Sequence, residues 1–245
     1  MNDWDRLFDE LYLKTYAPLQ RDEDAEPLAL GAMQLAECEA PADVLDAACG
    51  YGRHSHVLAR AGYRVVGLDR SPVLLDEARR RSEGAQWPRW VQGDYRDLPF
   101  EAGSFDSVVN LFTSFGFYGE EDDGRALADF RRVLRPGRAL VLETMHRDRL
   151  MAIFQERAWQ DLPDEALRLD RRAFDLVEGV VEEALTYWPK GGEPTTVAYR
   201  LRMYTASELK RMALEAGFAD VEFYGDVAGG PVSRDSRLVL VAKAP

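Results

Sequence analysis

The sequence contains few cysteines and few histidines. Its 245 residues include 2 cysteines and 3 histidines. Two thiols are too few to build a disulfide framework, so a reducing compartment fits the chain. The three histidines lack acidic or thiol partners at the spacing of metal ligands. We therefore expect neither a disulfide-rich secreted domain nor a metal site.

Positive charge is also scarce. The chain has 31 Lys and Arg against 43 Asp and Glu, and its formal net charge is -12 at pH 7. Such a surface repels phosphate, so we do not expect a nucleic acid as a partner. The one dense basic run, Arg79-Arg80-Arg81, is better explained as the exposed end of a helix, where it complements the helix dipole.

Long apolar runs are missing as well. None approaches the roughly 18 residues that a membrane span needs. The first residues, Met1-Asn-Asp-Trp-Asp, are acidic and lack the apolar core of a signal peptide. The sequence therefore predicts a cytoplasmic protein with no membrane partner. The apolar fraction, 46%, suffices for a core, and the length suits one α/β domain with an inserted segment.

The most informative stretch is a strand–turn–helix–strand unit between residues 44 and 71. Its first apolar strand ends at Asp46. Gly50 and Gly52 then supply a tight turn and allow a ligand to approach the backbone closely. A helix and a second, β-branched strand follow, as in a buried parallel sheet. Asp69 ends that strand, where a carboxylate can accept hydrogen bonds from both hydroxyls of a ribose.

Two kinds of nucleotide site share this unit. A dinucleotide site has the turn G-x-G-x-x-G or G-x-G-x-x-A facing a pyrophosphate, and here Ser55 takes the third position. Asp46, before the glycines, would repel a pyrophosphate but would stabilise an ammonium group. S-adenosylmethionine carries an ammonium group, a carboxylate and a sulfonium, and no phosphate. The pattern favours this ligand, with an NAD(P)-dependent oxidoreductase as the alternative.

The pattern D-x-x-C-G-x-G from Asp46 to Gly52, followed by the acidic strand end at Asp69, resembles motifs I and II of the class I S-adenosylmethionine-dependent methyltransferases of the small-molecule type. The segment G-D-x-x-x-L-P-F at 93–100 resembles their motif III. The run R-R-V-L-R-P-G-R-A-L-V-L-E at 131–143 resembles a further motif. The resemblance implies an α/β fold with a doubly wound, mostly parallel sheet of seven strands.

The resemblance also implies a site for S-adenosylmethionine. In it Asp46 and the glycine turn hold the methionine part, and Arg53 pairs with its carboxylate. Asp69 takes the ribose, while Asp94 and Tyr95 meet the adenine. The segment after the fourth strand lines the pocket because ligands bind where the strand order reverses. The predicted cofactor-binding residues are Tyr16, Asp46, Ala48, Gly50, Gly52, Arg53, Asp69, Arg70, Ser71, Asp94, Tyr95, Asn110, Leu111, Phe112 and Phe115.

Two segments flank the predicted methyltransferase domain, which comprises residues 41–146 and 205–245. Residues 1–40 are predicted to form a helical lid, because apolar and aromatic residues recur at helical spacing between residues 2 and 17. A helix that only covers the sheet edge is the alternative. Residues 147–204 are predicted to form an insertion built on a long antiparallel β-hairpin. The insertion either roofs the acceptor pocket or serves as the surface of a homodimer.

The candidate catalytic residues are His146 and Tyr16. His146 follows the fifth strand and can titrate near neutral pH, so it is a candidate general base; the alternative is a loop histidine with a structural hydrogen bond. Tyr16 shares one helix face with Tyr12. The predicted activity is O- or N-methylation of a small-molecule acceptor by direct displacement at the sulfonium methyl. A non-catalytic module that binds S-adenosylmethionine is a second alternative.

Overall fold

Two β-sheets and eight α-helices are present in the part of the chain that the computed structural model describes, residues 3–82 and 84–245, with Asp22 described in its backbone only. The helices are α1 (Trp4–Arg6), α2 (Tyr12–Thr15), α3 (Asp22–Leu35), α4 (Arg53–Arg60), α5 (Pro72–Arg81), α6 (Glu120–Val133), α7 (Arg147–Ile153) and α8 (Ala206–Glu215). The strands are β1 (Asp43–Ala47), β2 (Arg64–Asp69), β3 (Arg89–Gln92), β4 (Phe105–Asn110), β5 (Leu134–Thr144), β6 (Arg157–Asp161), β7 (Leu167–Asp175), β8 (Val180–Trp188), β9 (Thr195–Arg202), β10 (Asp220–Tyr224) and β11 (Leu238–Lys243).

The larger sheet has seven strands in the order β10-β11-β5-β4-β1-β2-β3. Strands β1 to β5 run parallel, whereas β11 is antiparallel to both of its neighbours. The chain leaves β1 toward β2 and β3 and then returns to the other side of β1 with β4. The strand order therefore reverses between β1 and β4, which is the place where ligands bind in open α/β sheets. The predicted doubly wound, mostly parallel sheet is confirmed.

Helices cover both faces of this sheet. On one face, α6 and α8 pack Leu127, Phe130 and Leu209 against the strands, and all three side chains are fully buried. On the other face, α3 and α4 contribute Ala29 and Leu58 to a second buried cluster. Central strands covered on both faces must be apolar along their whole length. This requirement explains the apolar runs Val65–Leu68 in β2, Val108-Val109 in β4 and Ala139–Leu142 in β5.

The N-terminal segment is less regular than its periodicity predicts. A single helix is expected from residue 2 to residue 17, and residue 2 lies outside the described part. The structure instead has α1, a π-helical turn at Leu7–Leu11 and α2, and Phe8 and Asp9 leave helical backbone angles. Asp9 accepts a hydrogen bond from the backbone N–H of Glu10 at 2.8 Å. Such a local side-chain bond competes with the helical hydrogen bonds.

Helix α3 starts earlier than predicted. The sequence places its start at Pro27, but the helix begins at Asp22 and Pro27 lies inside it. Asp24 in the first turn carries a negative charge that the helix dipole stabilises there. Arg21, at the N-cap, donates two hydrogen bonds to the Asp24 carboxylate, at 3.0 and 3.1 Å. By contrast, the capping box of Thr205 and Glu208 at the start of α8 is present as predicted.

The insertion is larger than the predicted hairpin. Strands β8 and β9 form that hairpin, but β6 and β7 extend it to a four-stranded antiparallel sheet. Ahead of this hairpin, residues 147–172 are rich in charge and predict helix and loop, and the structure contradicts this prediction beyond α7, where β6 and β7 form. The reason is the charge of β7, in which Arg168 and Asp170 are buried as an ion pair instead of facing water. Buried charges of this kind hide the apolar alternation by which a strand is recognised.

A buried carboxyl group in α6 makes the stability of the fold depend on pH. Asp123 is fully buried and accepts a hydrogen bond from the Tyr204 hydroxyl at 2.7 Å. Desolvation raises the pKa of Asp123 from 3.8 to about 7, although the bond from Tyr204 opposes the shift. The folded state therefore favours the protonated carboxyl. The stability that this preference contributes is present below about pH 4 and is lost as the pH rises to about 7.

We expect Asp123→Asn to remove this pH dependence. Between pH 4.5 and pH 8, its free energy of unfolding should fall less than that of the wild type, by up to about 3 kcal/mol. Urea denaturation at the two pH values measures the difference, and Asp164→Asn at an exposed position is the matched control. An equal pH dependence in Asp123→Asn and the wild type would contradict the assignment.

Candidate active site

A cavity of about 590 Å³ lies at the carboxyl ends of the parallel strands. Its walls come from the loops after β1, β2, β3, β4 and β5, from the N-terminal segment and from the insertion sheet. The volume is in the range of small-molecule pockets. Because the cavity spans the point where the strand order reverses, it lies where the fold predicts a ligand.

The glycine turn after β1 shapes one wall of the cavity. Ala48, Gly50 and Gly52 all have positive φ, at 62, 56 and 82°. A Cβ atom on Gly52 would lie 2.3 Å from Trp90 Cη2, whereas a Cβ on Gly50 would meet no atom within 4 Å. Gly52 is therefore required for packing behind the turn. Gly50 lines the cavity and leaves room beside the backbone for a ligand.

The carboxylate of Asp69 joins this turn to the end of β2. It accepts a hydrogen bond from the N–H of Gly50 at 2.8 Å and one from the N–H of Ser71 at 2.9 Å. Burial raises the pKa of Asp69, while these backbone bonds oppose the shift. The side chain lines the cavity. Each carboxylate oxygen has a second lone pair, so Asp69 can accept hydrogen bonds from two neighbouring hydroxyl groups.

Arg53 places a buried positive charge in the cavity wall. Only 8% of the residue is exposed, and its guanidinium carbon lies 4.2 Å from the centre of the Phe112 ring. Within residues 3–82 and 84–245, Arg53 has neither a hydrogen bond nor an ion pair. A buried cation without a counter-ion is costly. The cavity therefore offers Arg53 to an anionic group of a ligand.

The N-terminal segment closes the cavity from outside. Tyr12 and Tyr16 stack with ring centroids 5.1 Å apart, so they do share one face. Gln20 donates to the Tyr12 hydroxyl at 3.0 Å and accepts from the Tyr51 hydroxyl at 2.7 Å. Tyr51 belongs to the glycine turn, so these bonds attach the segment to the wall opposite the insertion.

A buried ionic network forms the insertion side of the cavity. Arg168 donates to Asp170 at 2.8 Å and to the Tyr16 hydroxyl at 2.8 Å. Glu183 lies 3.5 Å from Arg168 and 3.1 Å from Arg172. In this network the positive charges of the two arginines and the negative charges of the two carboxylates compensate each other. Sequence reasoning missed this network, although charges at 168, 170 and 172 have the spacing of one strand face.

The rest of the insertion side is apolar. The side chains that line it there are Leu150, Ile153, Phe154, Val181, Leu201 and Met203. The cavity thus has a polar end beside Asp69 and an end beside the insertion that combines an apolar wall with the ionic network.

Comparison with known proteins identifies the family. A methyltransferase domain family matches residues 44–137. The chain is 33% identical over 207 residues to cypemycin N-terminal methyltransferase of a Streptomyces species, which covers 81% of each protein. It is 38% identical over 99 residues to demethylmenaquinone methyltransferase of Clavibacter sepedonicus, and this match spans 39% of that relative.

The chain is an S-adenosylmethionine-dependent methyltransferase of class I.

A solved structure agrees with this assignment at the level of the fold. CalS10 from Micromonospora echinaspora, an amino pentose methyltransferase involved in calicheamicin biosynthesis, was solved with S-adenosylmethionine bound. It superposes on this methyltransferase with a TM-score of 0.72 and 24% identity, covering 96% of this chain and 97% of CalS10.

The residues of the cavity fit the cofactor of this family. S-adenosylmethionine has an anionic carboxylate, and Arg53 is a buried cation that forms no ion pair within the described residues. It has a ribose diol, and Asp69 has free lone pairs facing the cavity. The nucleoside needs space beside the glycine turn. This space is present, because a Cβ on Gly50 would meet no atom within 4 Å. The alternative prediction, a nicotinamide-dependent oxidoreductase, is inconsistent with membership of this family.

Ten of the residues predicted from the sequence line the cavity of the methyltransferase. They are Tyr16, Ala48, Gly50, Arg53, Asp69, Arg70, Ser71, Tyr95, Leu111 and Phe112. Six others do not line it, and their roles toward ligands stay predictions. They are Asp46, Gly52, Asp94, Asn110, Phe115 and His146.

Asp46 supports the turn from behind instead of facing the cavity. It is 1% exposed, and its carboxylate accepts a hydrogen bond from the Ser55 hydroxyl at 2.5 Å. Desolvation raises its pKa to about 6, against the opposing effect of this bond. Nearby, Asn110 donates to the backbone oxygen of Ala47 at 2.8 Å. Both polar side chains thus hold the strand ends together beneath the turn.

Asp94 is already occupied by arginines. Arg96 donates to its carboxylate at 2.7 and 3.0 Å, and Arg70 lies 3.5 Å away. The effect of these partners exceeds that of burial and lowers the pKa of Asp94.

Phe115 packs against Tyr204 within the core, with ring centroids 5.7 Å apart. The predicted site omits Leu68 and Gly93, which do line the cavity, although Gly93 opens the segment that resembles motif III.

The two predicted catalytic residues occupy different surroundings. Tyr16 lines the cavity, shares a 3.0 Å hydrogen bond with the Tyr199 hydroxyl and has its pKa raised to about 12, chiefly by burial. It is therefore a neutral phenol at neutral pH. His146 is 6% exposed, and its Nε2 lies 3.8 Å from Asp148. Its side chain is not part of the cavity wall.

The two glycines of the turn yield a paired prediction. Gly52→Ala should lose at least about 2 kcal/mol of stability, because its Cβ meets the Trp90 ring at a left-handed position. Gly50→Ala should lose only about 1–2 kcal/mol, which is the cost of the left-handed backbone alone. Its methyl group should nevertheless weaken binding of S-adenosylhomocysteine at least tenfold by filling the space beside the turn.

Thermal unfolding and isothermal titration calorimetry of the two variants measure both effects. Gly103→Ala is the control, since Gly103 also has positive φ and its Cβ would meet no atom within 4 Å. Binding by Gly50→Ala as tight as by Gly103→Ala would contradict the prediction.

Proposed function

We propose that the methyltransferase transfers a methyl group to an oxygen or nitrogen of a small-molecule acceptor that binds at the insertion end of the cavity. The observation that carries this proposal is the continuity of the cavity, which reaches from Asp69 to Arg168 and Glu183. One end suits the nucleoside, and the other leaves space for a second molecule beside it. The name of cypemycin N-terminal methyltransferase indicates an amine acceptor and that of demethylmenaquinone methyltransferase a quinone, which supports an acceptor of this chemistry.

For the cofactor, we propose that Asp69 binds the ribose hydroxyls and Arg53 the methionine carboxylate. Tyr95 and Gly93 contribute to the wall beside the adenine. Asp46 acts through the glycine turn that it supports, because its carboxylate is held by Ser55. When bound, S-adenosylmethionine supplies a methyl group on a sulfonium, which is activated without further chemistry by the protein. The chain's contribution is then to position the reactants and exclude water.

For the acceptor, the charges of the insertion side favour a neutral reacting group. The network of Arg168, Arg172, Asp170 and Glu183 is balanced, so an acceptor that kept a net charge there would be desolvated without a counter-ion. A hydroxyl or an uncharged amine meets this condition and supplies the lone pair that the reaction needs. Tyr16 is a neutral donor and acceptor facing the same space, and we propose that it orients this group. An uncharged amine needs no base, because its proton can leave to water after the methyl transfer, whereas a hydroxyl must give up its proton as the methyl arrives.

The segments around the cavity follow from the same proposal. The first 40 residues act as a lid, residues 147–204 roof the acceptor end, and residues 41–146 with 205–245 bind the cofactor.

Within the described ranges, no helix has both the length and the apolar character that a membrane span requires. We propose a cytoplasmic enzyme, which the two unpaired, buried cysteines support. A homodimer through the insertion is supported by Trp159 and Trp188, which are 75% and 48% exposed there.

The experiment that tests the proposal has two stages. Calorimetry with S-adenosylhomocysteine and with NADH should show binding of the first and none of the second. Radiolabelled methyl transfer from S-adenosylmethionine is then measured with amines, alcohols and phenols as acceptors. Failure to bind S-adenosylhomocysteine would overturn the proposal. Tight binding without transfer to any acceptor class would favour a non-catalytic module.

The assignment of Arg53 leads to a further prediction. Arg53→Met should weaken binding of S-adenosylhomocysteine by about 10- to 100-fold, because a charged hydrogen-bonding partner of the carboxylate is lost. Binding of 5′-methylthioadenosine, which has no amino-acid carboxylate, should change less than about threefold. Arg60→Met, on the exposed end of the same helix, is the control in calorimetry. Equal losses for both ligands would place the carboxylate elsewhere.

A further inference from the structure

The turn after β4 holds two consecutive residues in a strained conformation. Phe112 and Thr113 both have left-handed backbone angles, with φ of 62 and 60°. Neither is glycine, and a β-branched residue such as threonine is rarely found there. Strain of this kind persists only where the surroundings impose it, and it concentrates at functional sites. The residues that impose it are therefore of interest.

Glu143, near the end of β5, imposes the conformation of Phe112. Its Oε2 atom accepts the Phe112 N–H at 2.8 Å, and its backbone oxygen accepts the Thr113 N–H at 3.1 Å. Only 2% of Glu143 is exposed. One residue thus satisfies both N–H groups of the strained pair. Without the carboxylate, the Phe112 N–H would lose its partner.

Arg237 completes this arrangement from the neighbouring strand. It precedes β11, in which Val239 pairs with Glu143 across the sheet. Its guanidinium donates to Oε1 of Glu143 and, at 2.6 Å, to the Thr113 hydroxyl. The same hydroxyl accepts the N–H of Met145 at 3.1 Å. Arg237 thereby compensates the buried charge of Glu143 and ties Thr113 to both strands.

The strained turn presents the Phe112 ring to the cavity. The residue is 39% exposed and lines the cavity wall. The guanidinium of Arg53 lies 4.2 Å from the centre of this ring, and Arg53 has no hydrogen bond or ion pair within the described part of the chain. Since no hydrogen bond orients Arg53, the position of its charge depends on the position of the ring. The ring in turn depends on the backbone of Phe112.

We propose that Glu143 and Arg237 are positioning residues for the methionine carboxylate. They act at a distance from the ligand, by holding Phe112 in the left-handed conformation in which its ring places Arg53 at the cavity wall. The inference rests on the proposed function, in which Arg53 binds that carboxylate. It assigns a binding role to a buried ion pair that would otherwise serve only to connect β5 with β11.

The test compares two ligands that differ by the amino-acid group. S-adenosylhomocysteine and 5′-methylthioadenosine are titrated calorimetrically into the wild type, Glu143→Gln and Arg237→Gln. Each variant should weaken binding of S-adenosylhomocysteine about tenfold or more, as expected for loss of a buried bond to a charged group, and binding of 5′-methylthioadenosine less than about threefold. A general loosening of the fold would weaken both ligands alike, so the ratio of the two affinities isolates the positioning role.

Two controls make the result decisive. Arg234→Gln removes an exposed arginine three positions before Arg237 and should leave the ratio unchanged. In the Arg53→Met background, Glu143→Gln should produce no further change in the ratio, because its effect passes through Arg53.

The outcomes separate this inference from the proposed function. The positioning role would be overturned if Glu143→Gln and Arg237→Gln both kept the wild-type ratio of the two affinities. It would also be overturned if Glu143→Gln changed this ratio as much in the Arg53→Met background as it does alone. A wild-type protein that does not bind S-adenosylhomocysteine would instead overturn the proposed function.

Discussion

The hydrogen bond from the Gly50 N–H to the Asp69 carboxylate, 2.8 Å long, is the contact on which the active site depends. It joins the glycine turn after β1 to the end of β2, and both of these loops line the cavity. The Asp69 carboxylate that accepts this bond is removed from water, and this desolvation raises its pKa. Asp46 and Ser55 add a second bond of the same kind below the turn. The site is thus a set of strand ends held by buried carboxylates.

The ends of β4 and β5 follow the same rule. Glu143 binds the backbone of the next loop, as Asp69 does, and each carboxylate accepts two hydrogen bonds that shape a loop facing the cavity. Parallel strands end at one edge of the sheet, so their loops would otherwise be free to move independently. Buried acids join them in pairs. This explains why an acidic protein keeps several acids out of solvent at its most functional edge.

Much of this arrangement was predictable from the sequence, and the part that was not has a physical reason. The apolar runs Val44-Leu45, Val65–Leu68 and Val108-Val109 directly precede Asp46, Asp69 and Asn110, and an apolar run that ends in a polar residue is a local signal. The insertion sheet was underestimated because Arg168 and Asp170 neutralise each other inside it. Their pairing is a long-range property that no local pattern contains. The orientation of Asp46, behind the turn and not toward the cavity, likewise depends on Ser55, which lies nine residues later in the first turn of α4.

The N-terminal segment is attached at both sides of the cavity that it covers. Asp3 donates its N–H to Ala198 in the insertion at 2.7 Å, Asp5 pairs with Arg70 beside the polar end at 2.7 Å, and Gln20 binds Tyr51. With the cofactor bound in this cavity as proposed, exchange of spent for fresh cofactor requires these attachments to break, so opening of the segment limits the rate of turnover.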